Sequence, residues 1–417
     1  MKILVDHVAK IEHAEVEIQG ISVLAGYNAT GKSTVSKSLN AIISAYTDVL
    51  ERARDSRLRS MSKVFDDFLY KIFEDELFFT VLDNHELFLE EFLAEREKFP
   101  EEYESFRILA FPYLDVAEKL PVATPEIDRE YDSFLKQLRK VQNRQMEEDI
   151  QFVIERSMLG AFDNQINTIG QTSLGRIALS DDNGAILCEV SLKGNRLQSC
   201  SYKGIKECNP IYLEPKHSLD GLPADGRTSR RSLPVEPLVS NLLAHDEEQT
   251  EWITIEVREK LDRISALINE AIHGGLVENG KSLQYMDEQA SFISLKNLAS
   301  GSKTFAVIKR LLENGQLYRN QTLIIDEPEV NLHPEWQLIL AKVLVILYKE
   351  LGLKVFLNSH SPYFIRAVEV CSKRYDIADH CFFYQTVPGE NGLYQVEDVT
   401  TETEKIYQAL YRPLEEL

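Results

Sequence analysis

The chain has 417 residues, 44% of them hydrophobic and 27% charged, with a formal net charge of −21. Such a length and apolar fraction suit one large domain or two to three smaller ones, and they exclude wholesale disorder. No apolar run reaches the roughly 18 to 20 residues of a membrane span, and the acidic balance repels nucleic-acid backbones outside a local basic face.

The first segments read as short strands: Ile3-Leu4-Val5, then Glu15 to Ile18, then Ile21 to Leu24, each β-branched or alternating. Ile3 to Val5 is also too short for the apolar region of a secretion signal, so a cytoplasmic chain is expected. Val35, Leu39, Ile42, Ile43 and Tyr46 recur at helical spacing, which predicts a helix beginning near Lys32.

Between about Glu51 and Gly160 the pattern is helical. Residues 51–150 hold 25 acidic side chains against 15 basic ones. Phe65, Phe68, Phe73, Phe78, Phe79, Phe88 and Phe92 crowd this stretch, as the core of a helical subdomain or as a docking surface for another protein. No heptad persists for three or four turns, which argues against a long coiled-coil arm.

Strand-like runs follow at Arg176 to Leu179, Ala185 to Val190 and Ile211 to Leu213, split by Asp182-Asn183-Gly184 and Lys193-Gly194-Asn195. The loop from Asp220 to Arg231 holds the one basic cluster, a solvated loop or a contact for phosphate or an acidic partner. Residues 251–273 read as a helix and Phe292 to Leu295 as a strand. From Leu298 helix and strand alternate, the signature of a partly parallel α/β sheet. Five cysteines, Cys188, Cys200, Cys208, Cys371 and Cys381, form no CxxC pair, against a zinc ribbon or a disulfide scaffold.

Gly26-x-x-x-x-Gly31-Lys32-Ser33 has the form of a phosphate-binding P-loop. Its backbone N–H groups and the helix N-terminus suit phosphate oxygens. Lys32 is expected to reach the β- and γ-phosphates and Ser33 to ligate Mg²⁺. Asn28 inside the loop and Thr34 after it complete the candidate nucleotide-binding residues. The run Thr322 to Ile325 ends in Asp326-Glu327-Pro328, a Walker B strand expected beside the P-loop strand. Asp326 is expected to hold Mg²⁺, directly or through water, and Glu327 to polarise the attacking water.

Glu329 and Asn331-Leu332-His333-Pro334 lead into a helix with Pro334 at its first position. Lys354 to Asn358 is a second apolar strand, and His360 at its end is placed to touch a γ-phosphate. Before the Walker B strand, Leu298-Ala299-Ser300-Gly301-Ser302-Lys303 opens a helix, with Ser300 expected as its N-cap. Gly301 leaves room there for a ligand or another backbone.

This order of motifs resembles the ABC-type ATPases of the SMC, RecF and Rad50 kind. It is most similar to the stand-alone bacterial AAA family ATPases related to the ATPase domain of OLD nucleases, found in antiphage defence. The resemblance covers the first fifty residues and about residues 290 to 385. It implies an α/β fold of the P-loop ABC ATPase type, a mixed β-sheet flanked by helices with a large α-helical insertion after the P-loop helix. The expected divisions are 1–50 for the P-loop part, 51–165 for the acidic insertion, and 166–417 for a β-rich segment plus the rest of the core.

By the same resemblance ATP and Mg²⁺ are the cofactors. Lys32, Ser33, Asp326, Glu327 and His360 act in cis, and Ser300 and Gly301 act on the ATP of the opposite subunit. Each motif occurs once, which implies a head-to-tail homodimer or a larger assembly of such pairs. Ala299 and Ser302 stray from the common Leu-Ser-Gly-Gly form of that segment. Gln165 and Gln171 are the candidates for the glutamine of the family's Q-loop.

The stretch after His360 leaves too little room for the Toprim nuclease domain of OLD-type proteins, and the nine histidines are scattered. The expected function is thus an ATP-driven sensor or scaffold for a separately encoded toxin or nuclease. A RecF- or Rad50-like ATPase of DNA repair is the alternative, and a transporter subunit is disfavoured by the helical insertion.

Overall fold

A computed structural model describes residues 1–73, 92, 99–110, 120–168, 173–203, 210–214, 238, 242, 255–279 and 282–412. They divide into two compact units, Met1–Thr47 with Arg156–Leu417, and Asp48–Glu155. Phe78, Phe79, Phe88, Gln171 and the basic loop at 220–231 lie outside the described residues.

The chain opens with β1 (Lys2–Val8), β2 (Ile11–Glu17) and β3 (Ile21–Ala25). Along β1 and β2 the inward side chains, Ile3, Val5, Ile11, Ala14 and Val16, are buried, whereas all five residues of β3 are. Full burial of that kind marks a strand covered on both faces. Helix α1 (Lys32–Tyr46) then buries Val35, Leu39, Ile42, Ile43 and Tyr46.

The helical unit comprises α2 (Val49–Ile72), α3 (Tyr103–Ala110), α4 (Pro125–Gln142) and most of α5 (Met146–Ala161). Helix α4 shows how sequence sets the ends. The Thr124 hydroxyl accepts from the Ile127 N–H, Pro125 opens the first turn beside Glu126 and Asp128, and Arg139 and Lys140 close the last. Phe65 and Phe68 of α2 pack on Tyr131 and Phe134 of α4, joined by Phe92, Phe99, Tyr103 and Phe106 in one aromatic core. The Phe68 and Phe134 rings stack at 4.8 Å. At the other end Arg57 pairs with the buried Asp149 at 2.5 Å and donates to the Arg144 carbonyl at 2.8 Å.

The larger unit continues with β4 (Gly175–Ser180), β5 (Ile186–Lys193), β6 (Arg196–Tyr202), β7 (Ile211–Leu213) and α6 (Ile255–Asn269). Then come β8 (Gly274–Asn279), β9 (Ser282–Asp287), β10 (Phe292–Ser294) and α7 (Ser300–Glu313). The last part is β11 (Thr322–Asp326), α8 (Pro334–Ile346), β12 (Lys354–Ser359), α9 (Pro362–Arg374), β13 (Cys381–Pro388), β14 (Tyr394–Asp398) and α10 (Glu404–Tyr411).

Eleven strands form one mixed sheet in the order β6-β5-β4-β1-β2-β14-β13-β3-β12-β11-β7. From β6 to β2 every pairing is antiparallel, and from β13 to β7 every pairing is parallel. Strand β14 joins the halves, parallel to β2 and antiparallel to β13. Helices flank this sheet, and a separate three-stranded antiparallel sheet, β10-β9-β8, accompanies α7. There the Lys309 ammonium donates to the Gly274 carbonyl at 2.9 Å.

Strand β11 was expected beside β3, but β12 lies between them, with Ser359 opposite Ala25 and Asn358 opposite Asp326. The cause is the crossover through α8, which returns the chain on the inner side of β11. The ends of β3, β11, β12 and β7 therefore share one edge of the sheet, where α/β folds take their ligands.

Candidate functional site

The P-loop runs from the end of β3 into α1. Gly26 and Gly31 hold positive φ angles of 157° and 93°. A Cβ on Gly26 would lie 1.9 Å from Thr386 Oγ1, and one on Gly31 would lie 2.6 Å from the Ile11 side chain. Thr386, on β13, props the loop from below by donating to Thr30 Oγ1 at 2.8 Å. The Lys10 ammonium donates to the Ala29 carbonyl at 3.1 Å from the turn between β1 and β2.

Lys32 is 5% exposed, and its ammonium donates to the Gly26 and Tyr27 carbonyls at 2.8 and 2.7 Å. Burial lowers its pKa, while Glu327, Glu329 and Asp326 pull the other way. Asn28 and Ser33 are exposed and Thr34 is half-buried. The Thr34 N–H donates to the Gly31 carbonyl at 2.9 Å.

Asp326 ends β11 almost fully buried. Its Oδ1 accepts from Ser36 Oγ at 2.8 Å and from the Asn358 amide, and its Oδ2 accepts from the Tyr212 hydroxyl at 2.8 Å. Burial, and then the Asp326 carboxylate, push the Tyr212 phenol well above its usual pKa. Glu327 takes a left-handed backbone, φ 48°, and its N–H donates to the Asn358 carbonyl at 2.9 Å. That conformation is costly for a side-chain-bearing residue and turns the chain sharply at the strand end. His360, after β12, places Nδ1 3.8 Å from Glu327 Oε1 and 3.3 Å from Glu329 Oε1.

The fold thus brings Lys32, Asp326, Glu327 and His360 to one edge. Ser300 and Gly301 open α7, and among the described residues no hydrogen bond joins them to the P-loop, Asp326 or His360. Ser300 is not the N-cap expected of it. Ala299 holds that place, because its carbonyl already accepts from the Ser302 and Lys303 N–H groups. Gly301 does make room for another backbone, since a Cβ there would lie 2.7 Å from the Asn331 carbonyl oxygen. Gln165 is exposed in the turn after α5.

Sequence reasoning gave no site role to Tyr212, Ser36, Asn358 or Thr386. Tyr212 read as one residue of a short strand, and only the pairing of β7 with β11 brings it to Asp326. Ser36 carried a faint signal, a buried polar position one turn beyond Ser33 on α1.

A divalent cation fits this edge by its donor chemistry. Ser33 is exposed and both Asp326 oxygens already accept hydrogen bonds, an arrangement that suits a cation keeping most of its waters. Among the described residues no group of three or more His, Cys, Asp or Glu could cage a metal without a phosphate ligand.

A family model described as "AAA domain, putative AbiEii toxin, Type IV TA system" matches residues 200–366, from β6 into α9. No curated protein matches the chain. Among solved structures the chain is similar to the SMC head domain from Thermotoga maritima, at 9% identity over 95% of this chain and 98% of that one, TM-score 0.40. It is also similar to an SmcHead bound to the C-winged helix domain of ScpA, at 9% identity over 97% and 98%, TM-score 0.39. An Smc head domain with an extended coiled coil, bound to the C-terminal domain of ScpA derived from Pyrococcus furiosus, gives 8% identity over 100% and 98%, TM-score 0.34. With the glycine-rich loop after β3, Asp326 at the end of β11 and β12 between those strands, the chain has a mixed, helix-flanked sheet with a P-loop at the carboxyl end of one of its parallel strands.

Proposed function

We propose that this chain is an ATP-hydrolysing switch of the stand-alone kind related to OLD ATPase domains. It closes on ATP as a head-to-tail pair and controls a separately encoded effector, a toxin or nuclease, in bacterial antiphage defence. The observation that carries the ATPase reading is the convergence of Lys32, Asp326, Glu327 and His360 at the carboxyl ends of parallel strands. The matched family's description ties its AAA domain to a type IV TA system and gives that domain as the putative toxin, which supports a defence setting for the chain. The net charge of −21 favours a protein partner over a DNA backbone.

In this reading the P-loop N–H groups and the Lys32 ammonium bind the phosphates, with Lys32 leaving the Gly26 and Tyr27 carbonyls to do so. Glu327 orients the attacking water and accepts its proton, and His360 meets the γ-phosphate. Ser33 and Asp326 would hold Mg²⁺, which when bound neutralises charge on the phosphate oxygens. Ser300 and Gly301 face the ATP of the opposite subunit, so turnover depends on pairing.

The test is a pull-down of tagged Glu327→Gln protein with Mg-ATP from the native host, with Lys32→Ala as control. A stoichiometric protein encoded next to this chain, released in the control, is the expected result. DNA without a protein partner would favour the repair role instead. Wild-type hydrolysis by the Lys32→Ala protein would overturn the site itself.

A further inference from the structure

The loop between β11 and α8 carries a second carboxylate to which the chemistry above gives no role. Glu329 is 5% exposed. Its Oε1 accepts from Ser359 Oγ at 2.8 Å and from the backbone N–H groups of His360 and Ser361 at 2.8 and 3.1 Å. A side chain from beyond β11 therefore clamps the chain leaving β12, at the start of α9, where free N–H groups favour an anion. His360 Nδ1 lies 3.3 Å from the same Oε1.

Two buried atoms in this place are left over. Glu329 Oε2 and His360 Nδ1 each lack a hydrogen bond. Buried polar atoms are rarely left unpaired, and an acceptor beside a ring nitrogen needs only a small rotation to pair. The same loop also reaches the start of α7, since Asn331, whose φ is 61°, sets its carbonyl against Gly301.

We infer that Glu329 is the positioning residue of His360: its carboxylate accepts a hydrogen bond from Nδ1–H, fixing the ring's orientation and tautomer. Nε2, on the opposite edge of the ring, is left to meet the γ-phosphate, donating to it when the ring is protonated. The catalytic part of the inference rests on the ATPase reading; the pairing of the two side chains does not.

The test uses the full chain with isotope-labelled histidine and long-range proton–nitrogen NMR, His360→Asn assigning the signal. In the wild type the His360 signal should report a proton on Nδ1, and in Glu329→Ala it should move to a tautomer mixture. Turnover of Mg-ATP by Glu329→Ala should fall about tenfold in kcat, with KM and the binding of a fluorescent ATP analogue unchanged. Glu329→Gln, whose amide oxygen can still accept, should recover most of that loss.

An unmoved signal with wild-type kcat in Glu329→Ala would overturn the inference. So would kcat and KM changing together with a fall in Tm and no recovery in Glu329→Gln, the mark of a merely structural residue. A wild-type chain that hydrolyses no ATP, yet whose His360 signal moves in Glu329→Ala, would remove the ATPase reading and support the pairing.

Discussion

The hydroxyl of Tyr212 donates to Asp326 Oδ2 at 2.8 Å, from a strand that enters the sheet more than a hundred residues earlier in the chain. With Ser36 and Asn358 on the other oxygen, three elements hold one carboxylate before any ligand arrives. A group fixed this way meets its ligand without paying to reorganise, the condition for strong electrostatic stabilisation.

Tyr212→Phe should therefore leave a buried carboxylate oxygen without its donor. We expect a loss of about 1–3 kcal/mol in unfolding free energy and a rise in the Mg²⁺ concentration needed for half-maximal turnover. Denaturant unfolding and a Mg²⁺ titration of ATPase rate check the two effects. Unchanged values in both would show that Asp326 does not depend on this bond.

Gly26→Ala should abolish nucleotide binding, because a Cβ there would lie 1.9 Å from Thr386 Oγ1. Thr386→Ala in the same chain should restore part of the affinity by removing the colliding hydroxyl. Equilibrium binding of a fluorescent ATP analogue to the single and double variants decides it.

Gly301→Ala is expected to separate binding from turnover. Its Cβ would press on the Asn331 carbonyl, which is backbone and cannot swing aside. The start of α7 must shift, at a cost of about 1–3 kcal/mol as for other overpacked positions. ATP should still bind, while the rate per subunit should drop and lose its rise with protein concentration. A rate that keeps its concentration dependence would count against a role for Gly301 across subunits.

Phe134→Ala should destabilise the helical unit by about 3–5 kcal/mol, as for other buried aromatic truncations. The ring is 2% exposed and lies 4.8 to 5.8 Å from those of Phe68, Phe99, Tyr131 and Phe65. Thermal unfolding followed by near-UV circular dichroism measures it. A change below about 1 kcal/mol would mean that the cluster is loosely packed.

Some of this site can be read without coordinates. Strand β3, the P-loop and α1 are consecutive, and their signals are local: a fully apolar strand, glycines at the turn, helical spacing after Lys32. Strand β11 and its two carboxylates are legible for the same reason. The placement of β11 beside β3 was misread because strand order depends on the crossover through α8, which no local pattern encodes. Ser300 was misread as a cap because a serine before a helix is a good cap by type, whereas the backbone at Ala299 fixed the boundary.

The groups of the candidate site are legible along the chain: a phosphate loop, an acidic strand end, and a histidine after the next strand. Those signals are short-range and periodic, so one chain read in order suffices. The groups that support them come together through the folded arrangement. Tyr212 meets Asp326, Thr386 meets Thr30, and Glu329 meets His360 across 114, 356 and 31 positions. Hydrogen bonds depend on distance and angle in space, and the sheet's strand order sets both.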